Sequence, residues 1–342
     1  MPRRSLVTLA GAVLLAAAGS AVSAAPSAAA EGDGSFTLTD PRITESSGLA
    51  ASRRHPGIYW THNDSEDGSR VFAVDGRTGR TVATVTLSGA GQARDIEAVS
   101  VGPDGRVYVG DIGDNFDGGW GHVWIYAFPE PKRLRDATVR ATQYVVKYEG
   151  GARDAESLAV HPKTGRVYIV DKRKGGDGHV LAGPERLSAT GVNLFRPVAG
   201  IDVWATDAAF SPDGSELAVR GYLDGVLLDW NGGRPEERER LSPPFQKQGE
   251  SLTYSADGRL LLFGSEGEGS RVVAKPAPGG AAVEPPERSG DTSSSGRTPA
   301  AGAPAETAGG GGGNGGSVTL GGVALIALVV GLWVAARHRR AD

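Results

Sequence analysis

The sequence predicts an all-β fold, a β-propeller, from three observations. The first is a repeat: an acidic or polar residue opens an apolar strand, a turn containing glycine follows, and a second alternating strand comes next. The clearest copies occupy residues 95–109 and 154–169. Self-similar units of a few tens of residues, each built from strands, are typical of propellers. The other two observations are the spacing of the repeats and the rarity of helical patterns.

The spacing of the repeats indicates the number of blades. Equivalent positions, at intervals of 50, 59, 50 and 44 residues, are Ser47, Glu97, Glu156, Thr206 and Glu250. A four-stranded blade with its connections takes about 40–50 residues. The spacing therefore predicts five blades, and residues 36–39 are available to complete the last one. Six blades would require a further blade within residues 185–204 or 230–247.

Helical patterns are rare in residues 35–275, the segment that we expect to fold as the propeller ectodomain. No long run carries apolar residues at three- and four-residue spacing, whereas short alternating runs such as residues 107–109 and 123–128 are bounded by Gly, Asp and Pro. A segment of about 240 residues is usual for one all-β domain. We therefore expect a single folded domain.

The two ends of the chain predict export and a membrane anchor. Residues 1–24 have the arginines, the apolar run and the small-residue end of a signal peptide. Residues 318–336 carry no charge and are long enough to form a transmembrane helix, and the basic residues that follow make 337–342 a cytoplasmic tail. Residues 276–317, rich in Pro, Ala, Gly and Ser, predict a disordered linker. The expected location is the cell membrane, crossed once, with the propeller outside the cell.

Composition excludes several classes of function. The chain has no cysteine, so a disulfide framework and thiolate metal ligands are impossible. Its net charge of −4 is mild and gives no reason to expect a nucleic-acid partner. The Gly-x-Ser-x-Gly and His-Glu-x-x-His patterns of hydrolases and zinc proteases are absent from the sequence. We expect a monomer, and an enzyme is the less favoured interpretation.

Carboxylates are predicted to gather at one end of the propeller channel. In each repeat a tight turn joins the first and second strands, so the start of one strand and the end of the other lie on the same rim. Crowded carboxylate oxygens suit Ca²⁺, which we expect as the cofactor. The predicted metal ligands are Asp95, Glu97, Asp111, Asp154, Glu156 and Glu250. The predicted ligand-binding residues are His62, Asn63, Asp64, Asp114, Asn115, Lys172 and Arg173.

The same carboxylates have a second interpretation. Each Glu of the repeat can accept hydrogen bonds from backbone amides of the next blade and lock the ring without binding any ligand. Polar groups buried in a protein need such partners, so the pattern alone does not separate a cation site from a structural latch.

The repeat resembles the WD-repeat and YVTN-type propellers of secreted bacterial proteins, through units such as residues 103–109. Its Asp-x-Glu starts, together with residues 61–64 and 110–115, are similar to an actinobacterial group of propellers related to the phytase-like and esterase-like propellers. The phytase-like resemblance implies calcium-dependent hydrolysis of phosphate esters on one face. Ser47 and Thr206 depart from it, because they stand where the other repeats carry Glu.

Two functions follow from the sequence. The favoured one is a cell-surface module that binds an extracellular protein, a glycan or a small anionic ligand, because no pair of nucleophile and base can be named. The alternative is a calcium-dependent extracellular hydrolase of phosphate esters or related anionic esters.

Overall fold

The computed structural model describes residues 34–64, 67–91, 93–114, 118–175 and 177–279. Every regular element within these ranges is a β-strand. The predicted signal peptide, residues 280–317 of the predicted linker, the predicted transmembrane helix and the predicted tail lie outside them. In the described part of the chain there is no helix with the length and apolar character needed to cross a bilayer.

The strands form antiparallel units of four that follow one another along the chain. The chain begins with the short β1 (Phe36–Thr37). The first unit contains β2 (Ser46–Ala51), β3 (Ile58–Asn63), β4 (Arg70–Asp75) and β5 (Thr81–Ser88). The second contains β6 (Ile96–Val101), β7 (Arg106–Asp111), β8 (Val123–Pro129) and, after β9 (Ala137–Arg140), β10 (Thr142–Tyr148).

The remaining units have the same plan. The third contains β11 (Ala155–Val160), β12 (Val167–Asp171), β13 (Gly178–Ala182) and β14 (Val192–Ile201). The fourth contains β15 (Ala205–Phe210), β16 (Glu216–Gly221), β17 (Gly225–Asn231) and β18 (Arg234–Leu241). The last contains β19 (Gly249–Tyr254), β20 (Leu260–Ser265) and β21 (Arg271–Pro276). Repetition of one four-stranded unit makes the described part of the chain an all-β, propeller-like domain.

The outer strands connect units that are distant or adjacent in the chain. Strand β1 pairs antiparallel with β21, so the N-terminal strand becomes the fourth strand of the last unit. Strand β9 pairs in parallel with β5, and β14 pairs in parallel with β10, so outer strands bridge the first three units. A sixth blade would have to lie within residues 185–204 or 230–247. These segments instead contribute the outer strands β14 and β18 to the sheets already described.

The apolar core lies between neighbouring units. Trp60 of the first unit is fully buried and packs edge-on against Phe128 of the second, with ring centroids 6.2 Å apart. Its indole nitrogen donates a hydrogen bond of 2.9 Å to Oε1 of Glu130. A large aromatic ring with a satisfied polar edge thus joins two units.

The first strands of the units meet at the centre of the domain. Contacts join β2 to β6, β6 to β11, β11 to β15, β15 to β19 and β19 to β2. Ser47 Oγ donates to Glu97 Oε2 at 3.1 Å and Thr206 Oγ1 donates to the Gly249 carbonyl at 3.4 Å, so the starts of these strands lie side by side. We call this end, where residues 47, 97, 156, 206 and 250 lie, the carboxylate face.

The opposite end is formed by the turns between first and second strands, and we call it the turn face. Gly105, Gly165 and Gly258 occupy these turns with φ of 71°, 72° and 75°. Glycine adopts this left-handed conformation without a steric penalty, which explains why the repeat carries glycine there.

Candidate functional site

Each first strand carries a β-bulge at the carboxylate position of the repeat. Register shifts fall between Ser46 and Leu49, Ile96 and Ala98, Ala155 and Ser157, Ala205 and Asp207, and Gly249 and Leu252. A count of residues outward from the turn at 103–105 would place Glu97 opposite Asp111, but Asp111 pairs with Ile96, and Glu97 is the extra residue of the bulge. Because a bulge redirects a side chain, this irregularity explains how the repeat turns its Glu toward the channel.

Carboxylates from two units meet at the carboxylate face. One oxygen each of Asp64, Asp95 and Glu97 lies within 4.8 Å of the other two. Asp64 follows β3 in the first unit, whereas Asp95 and Glu97 flank the start of β6 in the second. All three residues are at most 4% exposed. We call this group the acidic triad.

The pKa of Glu97 is strongly perturbed within the acidic triad. Burial raises the pKa of Glu97 well above its usual value. The negative charges of Asp64, Glu156 and Asp95 raise this pKa further, and Lys172 acts in the opposite direction. A buried carboxylate among like charges is stable only when it binds a proton or a cation.

Gly113 allows the close approach within the triad. A Cβ atom at this position would lie 2.6 Å from Asp95 Oδ2 and 2.7 Å from Glu97 Cγ, which is too close for any other residue without a shift. The backbone amide of Gly113 also donates a hydrogen bond of 3.2 Å to the Asp95 carbonyl. The loop after β7 is therefore fitted to the triad.

Lys172 compensates charge on the other side of the carboxylate face. Its ammonium forms a buried ion pair with Glu156. Burial alone would lower the pKa of Lys172, but the Glu156 carboxylate, then Tyr222 and Glu250, raise it well above its usual value. Glu156 and Glu250 were predicted to bind metal, and the structure places an internal cation beside them. Their role as metal ligands stays a prediction.

Buried side-chain atoms on this side that have no hydrogen-bond partner among the described residues include Glu156 Oε2, Glu250 Oε2, Arg220 Nη2 and Ser251 Oγ. Burial lowers the pKa of Arg220 to about 10, and Glu250 and Asp207 oppose that shift. Sequence reasoning missed Arg220. Alignment of the repeats could have found it. Gly221 pairs with Ala205 and Asn63 pairs with Ser46, and both partners lie at the start of a first strand. Arg220 therefore occupies in the fourth unit the position that His62 occupies in the first.

Asn63, which is predicted to bind a ligand, makes structural hydrogen bonds, and its ligand-binding role stays a prediction. Its Oδ1 accepts hydrogen bonds from the amides of Thr44 at 3.0 Å and Glu45 at 3.1 Å. Its Nδ2 donates to the Arg42 carbonyl at 2.7 Å and to Asp67 Oδ2 at 3.0 Å. The amide group therefore fixes the segment that precedes β2.

Asp111 makes the equivalent hydrogen bonds in the second unit. Its Oδ1 accepts from the amides of Arg94 at 3.1 Å and Asp95 at 2.8 Å, and its Oδ2 accepts from the Tyr126 hydroxyl at 2.9 Å. These bonds give Asp111 a structural role, and its role as a metal ligand stays a prediction.

The remaining predicted residues lie around the face. Asp154 Oδ1 accepts from the Asp114 amide at 2.9 Å, and Asp114 Oδ2 accepts from the Trp120 amide at 2.6 Å, so both carboxylates shape the loop after β7. Arg173 is exposed next to Lys172. The predicted residue Asn115 lies outside the described residues.

His62 is fully buried in the first unit. Its Nδ1 lies 2.9 Å from the Asn63 carbonyl oxygen, so Nδ1 carries the proton and donates it. Its Nε2 has no hydrogen-bond partner among the described residues and lies against Gly48, where a Cβ would come within 2.6 Å. Burial lowers the pKa of His62, so its imidazole is neutral at pH 7.

A cavity lined by the first strands opens at the turn face, away from these charges. It measures about 270 Å³ and is lined by all five first strands, including Leu49, Val99, Val160, Ala208 and Thr253. Hydroxyl groups in its wall connect neighbouring strands: Ser100 Oγ accepts from the Val160 amide at 3.1 Å and Thr253 Oγ1 accepts from the Ala51 amide at 3.4 Å. These hydroxyls connect strands, whereas the buried charges gather at the carboxylate face, which is therefore the candidate site.

Comparisons with known proteins give no family. No protein-family model and no curated protein matches the chain. Among solved structures it is similar to a chain of the mitotic checkpoint complex, with 13% identity, a TM-score of 0.38, and coverage of 67% of this chain and 60% of that one. It is also similar to PQQ-bound aldose sugar dehydrogenase from Streptomyces coelicolor, with 13% identity, a TM-score of 0.41, and coverage of 70% and 95%.

A third similar structure is an oxidoreductase described as a glucose dehydrogenase from Thermus thermophilus. It has 16% identity and a TM-score of 0.39, with coverage of 69% of this chain and 85% of that one. At TM-scores below 0.5 these likenesses decide nothing about fold or function. The propeller-like architecture of this chain rests on its own strand pairing.

Proposed function

We propose that this chain is a cell-surface binding module, a closed five-bladed propeller that takes an extracellular ligand and a divalent cation at its carboxylate face. The cyclic contacts among the five first strands support five blades in a closed ring. The cavity lined by all five of these strands supports the same count. Pairing of β1 with β21 supports closure through the last blade.

The path of the chain supports the carboxylate face as the ligand face. Strand β21 starts beside the loops of the carboxylate face and ends at Pro276, and the amide of Ala277 donates to the Arg259 carbonyl at the turn face. The described part of the chain therefore ends at the turn face, opposite the carboxylate face.

The acidic triad is the observation that carries the proposal. Three carboxylate oxygens within 4.8 Å of one another form a hard donor set. Ca²⁺ takes about six to eight oxygen ligands in flexible geometry, so a triad leaves positions for oxygen atoms of a bound ligand. A cation there also offsets the repulsion that raises the pKa of Glu97.

Calorimetric titration of the purified, chelator-treated protein with CaCl₂ and with MgCl₂ tests the cation. We expect saturable binding of Ca²⁺ to one site and a rise in the melting temperature. Glu97→Gln and Asp64→Asn should each weaken binding by about tenfold or more, because ligand charge tunes affinity. Glu268→Gln, which removes an exposed carboxylate from the same face, is the matched control. Equal binding by all three variants would refute the site.

Calcium-dependent hydrolysis of a phosphate ester is a second candidate function. One observation favours it: His62 presents a neutral, proton-free Nε2 on the strand that leads to Asp64. A neutral imidazole is the usual general base near pH 7. A panel of phosphate esters and lactones tests this function. Turnover that requires Ca²⁺ and disappears in His62→Gln would establish the hydrolase function. Cation binding without turnover would support the binding module instead.

A further inference from the structure

The side of the carboxylate face near residues 242–248 contains polar atoms that neither a cation nor an anion can satisfy alone. Glu156 Oε2 and Glu250 Oε2 are buried acceptors without a hydrogen-bond partner among the described residues, and Arg220 Nη2 is a buried donor that also lacks one there. A cation would serve only the two carboxylates, and an anion only the guanidinium. A hydroxyl group donates and accepts at once, so hydroxyls match this mixed set.

An aromatic ring stands exposed next to these atoms. Phe245 is 79% exposed, the most of any large apolar side chain in the described residues, and Leu223 is 50% exposed. Both lie in loops of the carboxylate face, whereas Val82, Val192 and Val198, the other exposed apolar residues, lie on outer strands. The ring of Phe245 is therefore accessible to a ligand at this face.

Hydrogen bonds anchor the residues that follow Phe245. Gln246 Nε2 donates to the Phe263 carbonyl at 3.1 Å and to the Arg271 carbonyl at 3.0 Å, and its Oε1 accepts from Arg220 Nη1 at 3.3 Å. Gln248 Nε2 donates to Glu250 Oε1 at 3.4 Å. The residues that follow the exposed ring are thus tied to the buried guanidinium and to the buried carboxylate.

We propose that this locus binds a neutral glycan. A sugar ring stacks its apolar face on Phe245, and its hydroxyls reach the group of Gln248, Glu250 and Arg220. Planar polar side chains beside a rigid aromatic ring supply both requirements of a sugar, an apolar face and a hydroxyl edge. The exposed charges in these loops have both signs: Lys247 is positive, whereas Asp224 and Glu268 are negative. This mixture favours a neutral partner over a strongly charged one.

The inference rests on the proposed function only in taking the carboxylate face as the ligand face, and it does not require the cation. Binding of cellohexaose, maltohexaose and the hexamer of N-acetylglucosamine to the full chain, measured by calorimetry with and without EDTA, tests it. We expect saturable binding of at least one hexamer at millimolar or lower concentration. Because hydroxyl contacts are neutral, the affinity should change little between about 0.05 M and 0.5 M NaCl.

Two variants locate the binding. Phe245→Ala should lower the affinity about tenfold or more, as expected for a central aromatic contact. Val192→Ala, which shortens an apolar side chain that is 56% exposed on an outer strand, should leave it unchanged. Removal of divalent cations by EDTA should also leave it unchanged, so failure of the cation site and failure of the glycan site remain distinguishable. No saturable binding of any hexamer, or equal binding by Phe245→Ala, would overturn the proposal.

Discussion

Lys172 and Glu156 form a buried ion pair at the centre of the carboxylate face, with side chains that are 13% and 6% exposed. Both belong to the third unit: Glu156 is the bulged residue of β11 and Lys172 follows β12. The same ammonium also interacts with the charges of Glu250 and Glu97. One lysine therefore interacts with carboxylates from three units.

Replacement of Lys172 by Met should strongly destabilise the protein. Removing one member of a buried ion pair leaves an uncompensated buried charge and costs about 3–5 kcal/mol. Urea unfolding at pH 7 measures the change. The double variant Lys172→Met with Glu156→Gln should recover most of the loss, since it removes both charges. If Lys172→Met alone has the same free energy of unfolding as wild type, the ion pair does not stabilise the carboxylate face.

The acidic triad predicts an unusual dependence of stability on pH. The pKa of Glu97 is higher in the folded chain than its ordinary value of 4.5, so the folded state holds this proton more tightly than the unfolded state. Stability contributed by that proton is complete below about pH 4.5 and is lost as the pH rises through the folded pKa.

Glu97→Gln should remove this loss, because the amide has no proton to release. Melting temperatures of metal-free wild type and variant, recorded between pH 4 and pH 8, measure the effect. We expect the melting temperature of the variant, relative to that of wild type, to increase as the pH rises. Addition of Ca²⁺ at about 100 times its Kd should raise the unfolding free energy of wild type by about 2.7 kcal/mol and that of the variant by less. A pH-independent difference would contradict a raised pKa at Glu97.

Gly113→Ala should weaken cation binding without changing any charge. The new methyl group would press on Asp95 Oδ2 and Glu97 Cγ and spread the triad. Gly121→Ala is the matched control, because a Cβ there meets nothing within 4 Å. Calorimetric titration with CaCl₂ compares the two variants. Equal affinities would mean that the triad does not depend on the loop after β7.

Much of this architecture could be predicted from the sequence, because strand alternation and glycine turns are local signals. The Pro-Asp-Gly turn at 103–105 and the strands on both sides of it follow from residues that are adjacent in the chain. The carboxylate face could be predicted as well, since it depends only on the direction of each hairpin.

The roles of individual residues at that face could not be predicted, for two physical reasons. A bulge depends on strand register, and it moves Glu97 out of the pairing with Asp111 that a simple count suggests. The second reason is that hydrogen bonds join residues distant in sequence: Asp111 and Asn63 look like ligands in sequence, yet both cap the amides that precede a first strand. Arg220 stands out only when the repeats are aligned, because Ser251 and Gly264 belong to the next unit and Gln246 to the loop before it.

Closure of the ring can be tested at a glycine. Gly79 has φ of +69°, and a Cβ there would lie 1.7 Å from the Thr37 carbonyl oxygen of β1. The Gly79 carbonyl also accepts from the Thr39 amide at 3.0 Å. Gly57 has nearly the same φ, +78°, but a Cβ there meets nothing within 4 Å. Both Ala variants should lose about 1–2 kcal/mol of stability to the left-handed backbone.

Only Gly79→Ala should carry the additional cost of pushing the closing strand away, about 1–3 kcal/mol. Urea unfolding of both variants measures the difference. Hydrogen exchange at the amide of Leu38, which donates to the Ser270 carbonyl at 2.9 Å, should speed up in Gly79→Ala and not in Gly57→Ala. Equal stability and equal exchange in the two variants would mean that β1 does not close the ring in solution, because the clash would then have no strand to displace.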